Sequence, residues 1–109
     1  MKIYVLTSSP TQEQVDEMLS TLLVFIKLAV DTRRGVVAGG GELHADCESE
    51  LLKLGSRQED IWGADWYPSK QLVTFEALIN IRPRQNPSMI IQDAEIREQV
   101  KEIVERIFR

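Results

Sequence analysis

The sequence predicts an α+β domain in the order βαββαββα, a mostly antiparallel sheet of about five strands with its helices packed chiefly on one face. Three observations lead there. Apolar residues recur at helical spacing within 11–23, 42–54 and 93–108. The segments between them are short β-branched or alternating runs. Turn signatures rich in Gly, Pro, Asn, Asp or Ser separate those runs.

Ile3 to Thr7 is a β-branched and aromatic strand stopped by Ser8-Ser9-Pro10. Thr11-Gln12-Glu13-Gln14 has the spacing of a capping box, so a helix starts there and buries Val15, Met18, Leu19, Leu22 and Leu23. Phe25–Val30 and Val36–Ala38 form a hairpin, with Gly35 supplying positive φ in its turn. A second helix runs from Glu42 to Leu54 with Leu43, Cys47, Leu51 and Leu54 as its stripe, and Gly55 ends it. Asp60–Tyr67 and Leu72–Arg82 read as a second hairpin around Pro68-Ser69-Lys70. Its longer strand alternates Val73, Phe75, Ala77, Ile79 and Ile81 toward the core, against Trp62, Ala64 and Trp66. A turn centred near Ser69 sets Asp60 opposite Ile79 or Asn80. Met89–Ile91 adds a short extended piece. Asp93 caps a last helix striped by Ile96, Val100, Ile103 and Ile107.

Residues 1–109 fit one domain. Apolar residues at 43% and charged residues at 28%, spread along the chain, are those of a folded protein rather than a disordered one. A formal net charge of −4 lacks the basic face that binds phosphate backbones, so nucleic acid is not an expected partner. The longest apolar run, Leu22 to Ile26, is far short of a membrane span, and the N-terminus does not carry a signal-peptide core. A single cysteine forms no internal disulfide. A soluble, cytoplasmic protein is expected.

Gly39-Gly40-Gly41 before a helix has the look of a phosphate cradle. Neither G-x-G-x-x-G nor G-x-x-x-x-G-K-[ST] is present, however, and Glu42 puts a carboxylate where the anion would sit. Room for a sharp turn and close packing explains the glycines more simply. His44 and Glu48, four apart on one helix face, offer two metal ligands, while Asp46 diverges from His44 by about 160°. The plainer alternative is His44 hydrogen-bonded to Glu48 or to a strand carbonyl. Cys47, in the middle of the stripe, behaves as a small hydrophobe. At the open end of the second hairpin Gln58, Asp60, Asn80, Arg82 and Asn86 converge; Arg82 suits a carboxylate or phosphate, and equally suits neutralising Asp60.

The segments GGGELHADCE, GSRQEDIWGADWYP and LINIRPRQNPSM resemble those of a family of small bacterial proteins known only as a domain of unknown function. The resemblance runs from about Phe25 into the final helix. It implies a bacterial protein and brings no reaction, substrate or cofactor.

The first functional reading is a non-catalytic binding or regulatory domain. It recognises a small anionic ligand or a protein partner through Glu42, His44, Gln58, Asp60, Asn80, Arg82 and Asn86. The alternative is a small, metal-assisted hydrolase using His44, Glu48, Asp60 and Arg82. A third is a homodimer-forming domain, suggested by Leu78 and the apolar first helix. No cofactor is implied.

Overall fold

The computed structural model describes residues 2–109. Strand β1 (Tyr4–Leu6) leads to helix α1 (Gln12–Leu19), then to strands β2 (Ile26–Asp31) and β3 (Val36–Gly39) and helix α2 (His44–Lys53). A 3₁₀ turn at Gln58–Asp60 precedes strands β4 (Ile61–Tyr67) and β5 (Leu72–Thr74). A second 3₁₀ turn at Leu78–Asn80 is followed by helix α3 (Ala94–Phe108). The strands form one five-stranded antiparallel sheet in the order β1-β3-β2-β4-β5. This is the predicted α+β fold in the predicted element order.

Period-two alternation divides the side chains between the two faces. Leu6, Ile26, Leu28, Val30, Val37, Trp62, Ala64, Trp66 and Val73 meet Met18 of α1 and Val100, Val104 and Ile107 of α3 in the larger core. Ala29, Val36, Ala38 and Ile61 meet Cys47 and Leu51 of α2 in a smaller one. Two of the three helices thus share one face, and α2 covers the other. Both tryptophans are core residues, Trp66 stacking on Phe108 at 5.7 Å.

The elements differ from expectation in three places. Helix α1 stops at Leu19, so Leu22 and Leu23 fall outside its stripe and Leu23, at φ 70°, is exposed. The Ser20 hydroxyl donates to the Glu17 carbonyl at 2.7 Å, a local alternative to the helical ladder. Helix α2 starts at His44 rather than Glu42, because the Asp46 carboxylate accepts from the Leu43 amide at 3.2 Å and holds Leu43 at the cap. Leu43 and Leu54 are therefore exposed, and the buried stripe shrinks to Cys47 and Leu51.

The third difference shapes the rest of the molecule. The second hairpin has the predicted register, with Trp66 opposite Val73, but β5 ends at Thr74. Beyond it the chain pairs with the segment leading to α3: Ala77 donates to the Met89 carbonyl at 3.0 Å and Ile91 to that of Phe75 at 3.1 Å. The expected strand residues Ile79 and Ile81 lie in and after a 3₁₀ turn, and Ile81 is exposed. In place of a longer strand, one side chain pairs with β4. The Asn80 amide accepts from the Gly63 N–H at 2.7 Å and donates to the Gly63 carbonyl at 3.0 Å, as a neighbouring strand would. Gly63 leaves room for this approach, since a Cβ there would sit 2.4 Å from that of Ala77.

Candidate functional site

The polar set at the end of the second hairpin is brought together and engaged with the backbone. Asn80 holds Gly63 and also donates to the Met89 carbonyl at 3.1 Å. The Asn86 side chain donates to the carbonyls of Asn80, Ser88 and Ile90 and accepts from the Gln92 amide at 2.9 Å. Arg82 donates to the carbonyls of Gln58, Glu59 and Ile61, and its guanidinium lies 3.7 Å from the centroid of the Trp62 ring. Burial pushes Arg82 below its ordinary pKa, opposed by Glu48, Asp60 and Glu59; burial raises the Glu48 carboxyl, opposed by Arg82. Asp60 ends the 3₁₀ turn whose carbonyl accepts from the Thr32 amide and hydroxyl. A shallow hollow of about 330 Å³ lies beside Gln58, Ile79 and Arg82.

The three glycines lie on packed backbone. A Cβ on Gly39 would meet Leu28 at 2.7 Å, and one on Gly40, at φ 106°, would meet the Lys2 carbonyl at 2.4 Å. The tract lets the chain pass from β3 over α1 into α2. Lys27 donates to the Glu42 carbonyl at 3.0 Å on the far side of this turn. Cys47 is buried beneath α2, its Sγ 3.5 Å from the Lys27 carbonyl oxygen, and burial pushes its thiol up to about 11.

His44, the first residue of α2, is placed quite differently from Arg82. Its Nε2 lies 2.8 Å from Asp65 Oδ1 and 3.2 Å from the Ala64 carbonyl oxygen. A carbonyl oxygen only accepts, so Nε2 carries the proton and donates to both. Nδ1 has no hydrogen-bond partner among the described residues. No buried side-chain nitrogen or oxygen among those residues goes unsatisfied, so Nδ1 is open to solvent.

The ring stands over a polar row on the α2 face of the sheet. Lys27 of β2 pairs with Asp65 of β4, and Asp65 pairs with Thr74 of β5, so three adjacent strands present their side chains side by side. Asp65, 8% exposed, accepts from His44 and, at 3.4 Å, from the Thr74 hydroxyl. Two hollows adjoin His44. One, of about 270 Å³, is walled by Leu43, Ala77, Leu78, Ile79 and Met89; the other, of about 400 Å³, lies toward Thr74 and the stacked rings of Phe25 and Tyr67. Lys27, His44 and Glu76 border both.

An imidazole fixed by a carboxylate and a carbonyl, with its second nitrogen open, can accept a proton or a hydrogen bond from a ligand. A lysine beside it can receive negative charge. The sequence reading had His44 and its strand carbonyl but missed Lys27, Asp65 and Thr74. Asp65 carried one usable signal, a carboxylate between Ala64 and Trp66 in a strand buried on both faces. His44 and Glu48 do not act as a pair, the first turning to Asp65 and the second lying in the field of Arg82. Among the described residues no three His, Cys, Asp or Glu side chains cluster as a metal site would. His44 and Arg82 border different hollows.

Fold and cleft together define a small antiparallel α+β domain with a histidine–aspartate pair in an open groove. The family described as "Protein of unknown function (DUF5674)" matches residues 4–107, and the chain belongs to it. No curated protein and no solved structure matches the chain. No helix among the described residues is long and apolar enough to cross a membrane.

Proposed function

We propose that the protein is a binding domain for a small ligand carrying a negative charge, held in the groove between the start of α2 and the 74–79 segment. The observation that carries this reading is Lys27, which borders both hollows beside His44, whose ring is oriented by Asp65 and the Ala64 carbonyl. Lys27 supplies the positive charge, since one of its three donors is on the Glu42 carbonyl and two are left for a ligand. The apolar hollow, near the small end of ligand pockets, takes the remainder. Gln58, Asn80, Arg82 and Asn86 support the fold beside the groove.

Amide chemical shifts followed during titration with a panel of small carboxylates and phosphates test this. The expected result is saturable change at Lys27, His44 and Thr74, weakened about tenfold or more in His44→Ala and Lys27→Gln. Silence at those amides across the panel at millimolar concentration overturns it.

A second reading rests on the same pair. With Asp65 holding its Nε2–H, His44 is arranged as a general base for hydrolysis, with Lys27 stabilising the developing charge. Hydrolysis of a p-nitrophenyl ester lost in both His44→Gln and Asp65→Asn supports it. A rate no higher than that of free imidazole ends it.

A further inference from the structure

We infer that the ligand of this groove is dipolar, a small amino-acid-like zwitterion with an apolar side chain; the inference rests on the proposed binding reading and narrows it. Lys27 and Glu76 both border both hollows, so any molecule placed beside His44 meets a cation and an anion. The two do not close on each other as an ion pair among the described residues, and Glu76 has no partner there. A simple anion drawn to Lys27 would face the Glu76 carboxylate, and a simple amine drawn to Glu76 would face the Lys27 ammonium, each at a like-charge cost. A carboxylate and an ammonium on one carbon satisfy both.

The remaining groups fit the same chemistry. His44 Nδ1, an acceptor in this tautomer, suits an ammonium N–H, whereas it has no proton to give a carboxylate. The hollow of about 270 Å³ against Ala77 and Ile79 is apolar and of a size for a branched aliphatic group rather than a nucleotide. Asp65 is already committed to His44 and Thr74, which leaves Glu76 as the anionic contact.

Calorimetric titration of the whole chain with L-leucine, 4-methylpentanoate and 3-methylbutylamine separates the possibilities, since the three share an apolar group and differ in charge. Leucine should bind about tenfold or more tightly than either of the others. Glu76→Gln, a change at an exposed residue, should erase its advantage over 4-methylpentanoate while leaving binding of the carboxylate in place. Equal affinity for leucine and 4-methylpentanoate, unaffected by Glu76→Gln, overturns the dipolar ligand and leaves the anion-binding reading standing. Binding of none of the three overturns it as well, and the wider carboxylate and phosphate panel then decides the reading beneath it.

Discussion

His44 owes its orientation to two acceptors that meet at one nitrogen, one a strand carbonyl and the other a carboxylate on the next residue of that strand. Single residues here draw their properties from which face of β4 they occupy. Ala64 points into the larger core while Asp65, one residue on, points toward α2. Cys47 shows the opposite outcome on the same side of the sheet. Burial pushes its thiol up to about 11 from an ordinary 9.0, so the folded state holds that proton longer than the unfolded one. The sign follows directly: stability is unaffected below about pH 9 and falls as pH rises through about 11. Urea midpoints measured at pH 8 and at pH 10.5 should show this fall in the wild type and a smaller one in Cys47→Ala. The native thiol should also resist iodoacetamide at pH 8 until urea unfolds the chain. Cysteine as packing was legible from its place between Leu43 and Leu51, whereas the role of Asp65 was not, because its partner comes from a helix 21 residues earlier.

At the scale of elements, the second hairpin is the informative case. Its alternating pattern continues to Ile81, yet pairing stops at Thr74, where the chain turns to join the segment before α3. Period two marked which residues face inward but not where the hydrogen bonds end, because an asparagine side chain offers the same donor and acceptor as a peptide. Asn80→Ala would leave the Gly63 N–H and carbonyl buried without partners, at a cost of about 2–4 kcal/mol. Thermal unfolding should fall by roughly 10 °C or more, and the 78–80 turn should lose hydrogen-exchange protection first. A variant as stable as the wild type would mean the 74–92 segment is held by its other contacts. Helix ends were legible where the cap is a side chain close in sequence, as at Thr11 and Asp93. They were misplaced at Leu43, which has no capping group of its own.

Over the whole molecule, the order β1-β3-β2-β4-β5 puts β2 at the centre, paired on both edges and buried along nearly its whole length. Amides of β2 should exchange most slowly and those of 20–25 and β5 fastest, which exchange followed by mass spectrometry would reveal. Fast exchange in β2 would contradict the sheet. Both hairpins could be read from local signals, but the pairing of β2 with β4, which sets Lys27 beside Asp65, joins strands separated by a helix and has no local signature. The groove was hidden for that reason, although each of its residues stood in plain view. The same order leaves half of β4 without a strand on its outer edge, where the Asn80 amide and the Arg82 guanidinium bond the backbone instead. Conversion of Asn80 to aspartate by slow loss of ammonia would replace its donors with a carboxylate facing the carbonyl oxygens of Gly63, Phe75 and Met89. The wall bearing Glu76 would lose its fastening, and the hollow beside His44 would lose its shape with it.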